Sequence, residues 1–149
     1  MAGKIQTLPQ VQNLVVARYR DGKMIRGITH DFGPRKKVFH VNPTGEKGYR
    51  VGKKSFRIFF SELKAVFFVK NLEGRGNLPS LEGYLEQKSK LPNSLKEKVT
   101  FFDGEILEGT TYGYTPDREG FFMVPQERDC NHLRVFVISS AVRKIETWK

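Results

Sequence analysis

Cysteine and long apolar runs are the two features that this 149-residue chain most nearly lacks. Its one cysteine, Cys130, has no second thiol with which to form an internal disulfide or a cysteine metal cage. No apolar run reaches the length of a membrane span, and the opening residues MAGKIQTLPQVQN contain no apolar segment of signal-peptide length. We therefore expect a cytoplasmic protein that has no membrane partner.

Residues that could support catalysis are also few. The three histidines, His30, His40 and His132, are scattered and show no metal-ligand spacing. Cys130 lies two residues before His132, but in a polar stretch that predicts a hairpin loop rather than a fixed active site. The acidic residues that lie closest together flank a predicted turn and are interpreted as structural: Asp103, Glu105 and Glu108. The sequence predicts no enzyme, no bound metal and no cofactor.

Positive charge is in excess, and the excess is confined to the first half of the chain. The sequence has 26 Lys and Arg against 16 Asp and Glu, for a formal net charge of +10. Up to Glu73 there are 15 basic and 5 acidic residues, whereas from Gly74 onward there are 11 of each. This distribution predicts an acidic partner that contacts mainly the first half, although solubility alone also accounts for a net charge.

The sequence matches itself when it is shifted by 82 positions without a gap. The matched residues are mainly turn formers and apolar residues: Asp21-Gly22 with Asp103-Gly104, Gly27 with Gly109, Thr29 with Thr111, Pro34 with Pro116, Phe39 with Phe121, and Pro43 with Pro125. Two copies of one backbone would retain such residues. We therefore predict a basic module at residues 14–70 and a neutral module at 98–147, joined by a linker at 71–97 that contains a short helix at about 79–90.

The sequence pattern of each module predicts five short strands, so the predicted fold class is all-β. Asp-Gly, the strongest short hairpin signal, separates strands at 14–20 and 23–32, and again at 98–102 and 105–114. The later strands are predicted at 37–41, 56–60 and 65–69, and at 120–124, 134–138 and 142–146. Gly27 and Gly109 lie inside strands, where glycine is typical of a bulge or sharp bend. Because a flat sheet leaves exposed edges, we expect each module to bend strongly into a small barrel.

This order of an apolar run, Asp-Gly, an internal glycine and three further strands resembles the Sm-like family of small bent barrels. Asp21, Gly22 and Gly27 carry the resemblance in the first copy, and Asp103, Gly104 and Gly109 carry it in the second. It implies two tandem five-stranded Sm-like barrels that bind single-stranded RNA and form a homo-oligomer. The family's Asp-x-apolar-x-Asn loop motif and the Arg-Gly pair before its last strand, which form its usual uridine pocket, are absent. The chain is also similar to an uncharacterised bacterial domain of signalling proteins, through Phe67-Phe68-Val69-Lys70 and Gly120-Phe121-Phe122.

The strongest candidate site is a basic stretch interleaved with aromatic residues in the first module. Lys and Arg contact phosphates while exposed rings stack on bases, so this pattern favours single-stranded nucleic acid or another polyanion. The candidate residues are Arg35, Lys36, Lys37, Tyr49, Arg50, Lys53, Lys54 and Arg57, with Phe39, His40 and Phe56 among them. A solvated basic face is the competing interpretation. Alternation along the strands predicts that Phe39 and Phe56 point into the core.

A protein-interaction module is the alternative function. Adjacent phenylalanines place one ring on each face of a strand, so one ring of each pair needs a cover from the other module, from the linker helix or from another chain. The pairs are Phe59-Phe60, Phe67-Phe68 and Phe101-Phe102. An acidic protein, or a cyclic dinucleotide bound by an adaptor of the PilZ type, is then the expected partner. Neither the Arg-x-x-x-Arg stretch nor the Asp/Asn-x-Ser-x-x-Gly motif of PilZ domains is present intact.

Overall fold

The computed structural model describes residues 13–44, 54–70, 95–111, 118–126 and 132–148. In these ranges ten β-strands account for the regular structure, together with two 3₁₀ turns at Phe60–Glu62 and Ser139–Ala141. The strands are β1 Asn13–Tyr19, β2 Met24–Thr29, β3 Val38–Pro43, β4 Phe56–Phe59, β5 Leu63–Val69, β6 Leu95–Phe101, β7 Ile106–Thr111, β8 Gly120–Pro125, β9 His132–Ile138 and β10 Val142–Trp148. None of the helical segments in the described part of the chain is long and apolar enough to cross a membrane. The prediction of an all-β fold is confirmed.

The strands form one antiparallel sheet in the order β10-β6-β7-β8-β9-β5-β1-β2-β3-β4. The sequence predicts two tandem barrels packed into one body, but the described strands do not close, and β10 and β4 are left as the two edges. The halves are instead continuous, because β9 pairs with β5 in a register that includes Ala65↔Val137 and Phe68↔Arg134. The predicted linker helix at 79–90 lies outside the described residues.

Both Asp-Gly hairpins form where the sequence places them. Gly22 has φ +97° and Gly104 has φ +92°, the left-handed region that is open to glycine and unfavourable for other residues. The Asp21 carboxylate accepts a hydrogen bond from the backbone N–H of Lys23 at 3.0 Å, and Asp103 accepts one from that of Glu105 at 2.9 Å. An Asp side chain that bonds two residues ahead fixes the turn locally.

Strand pairing follows the same 82-residue offset as the sequence match. Val15 pairs with Gly27 in β1 and β2, and Glu97 pairs with Gly109 in β6 and β7. A Cβ atom on Gly27 would lie 2.2 Å from the carbonyl oxygen of Asn42, and one on Gly109 would lie 2.1 Å from a backbone oxygen of β8. These glycines therefore allow close approach of the next strand. No register break falls at either of them in the described pairings, so of the two predicted features, a bulge or a sharp bend, the bulge is not found there.

The core is continuous across the middle of the sheet. β5 reads LKAVFFV and is buried at every position, because β1 and β9 flank it and both of its faces are covered. The ring of Phe32 lies 5.1 Å from that of Phe39, 5.1 Å from that of Phe68 and 5.2 Å from that of Phe136, measured between centroids. Phenylalanines from both halves of the chain thus share one core.

Candidate nucleic-acid interface

Three cations occupy the turn between β2 and β3. Arg35, Lys36 and Lys37 are all exposed. The backbone N–H of Lys36 donates to the carbonyl of Gly33 at 3.1 Å, and the carbonyl of Lys37 accepts from the N–H of Phe60 at 3.0 Å. The turn is therefore held by backbone hydrogen bonds at both of its ends, while its three cationic side chains are exposed.

The outer surface of β3 and β4 extends this positive region. His40 lies opposite Arg57 in the register, and both are exposed. The preceding pair, Phe39 and Ile58, is fully buried, as alternation in a sheet with one covered face requires. Lys54, just before β4, is also exposed. We refer to the five exposed cations of this region as the basic strip: Arg35, Lys36, Lys37, Lys54 and Arg57.

Aromatic rings accompany the basic strip at the edge of the sheet. Phe59 and Phe56 on β4 are each 42% exposed, whereas Phe39 is fully buried. The prediction that Phe39 lies in the core is confirmed, but the same prediction for Phe56 is wrong. Phe56 is exposed at the first position of the edge strand β4, although Ile58 on the same face of that strand is fully buried. By strand alternation Phe59 shares the outer face with Arg57.

Asp31 and His40 form a hydrogen-bonded pair beside the basic strip. The Nδ1 atom of His40 lies 2.7 Å from one carboxylate oxygen of Asp31, and the other oxygen accepts the backbone N–H of His40 at 2.9 Å and the hydroxyl of Thr29 at 3.2 Å. Partial burial acts to raise the pKa of Asp31, but the hydrogen bonds from His40 and Thr29 hold it below its ordinary value. The carboxylate therefore stays ionised beside the imidazole.

The corresponding surface of the second half packs against the first half instead of meeting solvent. Phe122 in β8 lies opposite Phe136 in β9. Phe122 is 82 residues after His40, and Phe136 is 79 residues after Arg57. Their rings lie 6.1 and 5.2 Å from that of Phe32, between centroids. An exposed Glu119 stands 82 residues after Lys37. The basic strip is thus a feature of the first half.

The acidic residues of the second hairpin bind cations of the first half. Lys64 is only 4% exposed. Its Nζ atom donates to the carboxylate of Asp103 at 2.7 Å and to that of Glu105. A guanidinium nitrogen of Arg18 lies 3.3 Å from a carboxylate oxygen of Glu105. The hydrogen bond from Lys64 is the main cause of a lowered pKa at Asp103. Asp103 and Glu105 thus contribute to the contact between the two halves.

Part of the predicted site cannot be placed. Tyr49, Arg50 and Lys53 lie outside the described residues, as does Cys130. The described ranges contain no group of three or more His, Cys, Asp or Glu side chains that could hold a metal ion. The sequence reasoning missed the pairing of Asp31 with His40, for which the only signal was a Thr-x-Asp turn ahead of a strand that contains histidine.

Comparison with known proteins identifies a family but no characterised relative. A family model described as a family of unknown function, DUF6982, matches residues 11–149, so the chain belongs to that family. No curated protein matches the chain. No solved structure matches it.

Proposed function

We propose that this member of the DUF6982 family is a non-enzymatic protein that binds single-stranded nucleic acid through the basic strip. The observation that carries the proposal is the position of exposed cations beside exposed rings: Arg57 and Phe59 lie on one strand, at an edge of the sheet. Cations that follow a phosphate backbone, with aromatic faces on which bases stack, are the usual means of binding single strands without strong sequence preference.

The second half supplies structure in this proposal. Its surface at Phe122 and Phe136 is used to pack against the first half, and Lys64 binds Asp103 across the junction. A ligand would therefore contact mainly the half of the chain that carries the excess positive charge. Binding of this kind is dominated by counterion release and weakens steeply with added salt.

We also propose that the chain is two tandem copies of a bent, Sm-like module. The strand order β5-β1-β2-β3-β4 in the first half is matched by β10-β6-β7-β8-β9 in the second, and both hairpin turns have glycine at positive φ. β4 and β10 carry Arg57 and Lys144, and cations on edge strands oppose pairing with a further chain. Homo-oligomer formation stays a prediction, which light scattering with and without an oligonucleotide tests.

The proposal is tested by fluorescence-anisotropy titration of labelled single-stranded DNA and RNA at low salt. The triple variant Arg35→Glu/Lys36→Glu/Lys37→Glu should lose saturable binding. A matched control, Lys96→Glu/Arg143→Glu/Lys144→Glu, makes the same change in net charge at exposed sites of the second half and should retain most of the affinity. Equal losses in both variants would show that net charge, and not the basic strip, determines binding.

A protein-binding adaptor is the second candidate, and the exposure of Phe102 favours it. Phe102 is 66% exposed and, with Arg20 and Ala141, helps to line a groove of about 390 Å³. Ile106, in the same hairpin, is 51% exposed. Exposed rings of this kind are enriched at protein interfaces. This function predicts binding that Phe102→Ser weakens and that salt affects little, which is the opposite of the nucleic-acid prediction.

A further inference from the structure

The imidazole of His40 is held in one orientation by Asp31. A carboxylate accepts hydrogen bonds and donates none when it is ionised, so the Nδ1 atom that lies 2.7 Å from Asp31 carries a proton. The backbone N–H of the same histidine donates to the other oxygen of that carboxylate, and the Nζ atom of Lys36 donates to the Asp31 carbonyl at 2.8 Å. The Nε2 atom, on the opposite side of the ring, is directed away from Asp31. The side chain of His40 is 49% exposed.

Arg57 lies directly across from His40 on the same outer surface. Side chains that face each other in an antiparallel pair have Cβ atoms about 4.5–5.5 Å apart, and two like charges at this position are unfavourable. A positively charged imidazole at His40 would therefore repel the guanidinium of Arg57. An anion placed between the imidazolium and the guanidinium would remove the repulsion and accept hydrogen bonds from both groups.

We propose that His40 and Arg57 form a phosphate-binding subsite, in which Asp31 positions the imidazole and the ligand is a phosphodiester of the nucleic-acid backbone. The inference rests on the proposed function and deepens it. When His40 is protonated, both Nε2–H and the guanidinium donate to phosphate oxygens. When it is neutral with the proton on Nδ1, Nε2 is an acceptor and faces the phosphate unfavourably. Binding at this subsite is therefore accompanied by proton uptake.

The charged groups around His40 define how pH acts on the subsite. Asp31 and Lys36 contribute from the turn before β3, and Arg57 contributes from β4. Histidine is the side chain whose charge ordinarily changes between pH 5 and 8, and the affinity for a phosphodiester should rise as pH falls through that range. In the second half, Phe122 and Phe136 stand at the corresponding places, where neither proton uptake nor phosphate binding can occur.

The test is an anisotropy titration of a labelled thymidine oligonucleotide at fixed low ionic strength, at about pH 5.5 and about pH 8. Wild type should bind at least about threefold more tightly at the lower pH, since uptake of one proton changes affinity by up to about tenfold per pH unit. His40→Gln should lose this dependence and bind like wild type at the higher pH. His30→Gln replaces a neighbouring exposed histidine and should keep the dependence.

The positioning role of Asp31 needs its own measurement. Asp31→Asn keeps the size of the side chain but replaces the carboxylate that accepts the Nδ1–H of His40, so the imidazole is no longer held in place and the gain in affinity at about pH 5.5 should shrink. Identical pH profiles for wild type and His40→Gln, with binding that the triple variant still abolishes, would overturn the subsite and leave the proposed function standing. If wild type fails to bind at either pH, both proposals are wrong.

Discussion

Ionisation of Glu97 should determine how the stability of the protein changes between pH 5 and 8. Glu97 lies on β6 and is fully buried, and neither of its carboxylate oxygens has a hydrogen-bond partner among the described residues. In the first half the position 82 residues earlier is Val15, which is also fully buried. The second half thus places a carboxyl group where the first half has an apolar side chain. A buried charge without a partner is costly, so the group favours its neutral form.

The size of the change in the free energy of unfolding follows from the pKa of Glu97 in the folded and in the unfolded chain. Burial raises the pKa of Glu97 from the ordinary 4.5 to about 7. Between these values the folded protein holds a proton that the unfolded chain has lost, so the free energy of unfolding falls as pH rises. The gap corresponds to about 3 kcal/mol at roughly 1.4 kcal/mol per pH unit. This stability is fully present below about pH 4.5 and is lost by about pH 7.

Urea denaturation of wild type and Glu97→Gln, followed by circular dichroism at several pH values, measures the effect. The amide cannot ionise, so the free energy of unfolding of the variant should rise relative to that of wild type as pH rises, by up to about 3 kcal/mol above pH 7. Glu97→Val, which copies Val15, should show the same trend. Glu108→Gln, at an exposed site on β7, is the control and should show none. A difference between wild type and Glu97→Gln that stays constant with pH would refute the reasoning.

Two further substitutions test the junction and the close strand contacts. Lys64→Met keeps the length of a buried side chain but removes its hydrogen bonds to Asp103 and Glu105, and should cost about 2 kcal/mol near neutral pH. That cost should shrink in acid, where both carboxyl groups are protonated. Gly27→Ala should destabilise the protein by about 1–3 kcal/mol, because the added methyl group is overpacked against β3. Gly33→Ala should be tolerated, because its Cβ would lie 3.3 Å from the side chain of Lys36, which is flexible and can move. Urea midpoints measure each effect.

Local sequence signals predicted the strands well but not their arrangement. All ten strands were expected, because Asp-Gly turns, alternation and apolar runs are read from neighbouring residues. The strand Met24–Thr29 is shorter than the predicted 23–32, since the backbone turns away at Asp31 to meet His40. The pairing of β5 with β9 joins segments about 70 residues apart, and no local pattern specifies it. The uniformly apolar Ala65–Val69 was the one sign that this strand would be buried on both faces.

The cations of the basic strip could be predicted from the sequence, but their positions relative to one another could not. The sequence identifies Arg35, Lys36 and Lys37 as a cluster, yet their relation to Arg57 depends on the register of β3 with β4. The sequence identifies His40 only as one member of the basic stretch, because histidines scattered in sequence show no ligand spacing, and its hydrogen bond to Asp31 spans nine residues and a turn. Side chains that meet across a sheet become neighbours only when the strands pair.

The dependence of oligonucleotide affinity on salt tests the central claim most directly. For single strands the slope of log affinity against log salt concentration is about −0.7 for each phosphate neutralised. If all five cations of the basic strip contact phosphates, the predicted slope is about −3.5, and Arg35→Gln/Lys36→Gln/Lys37→Gln should reduce it to about −1.4. A wild-type slope near zero, or an unchanged slope in the triple variant, would contradict nucleic-acid binding at this surface.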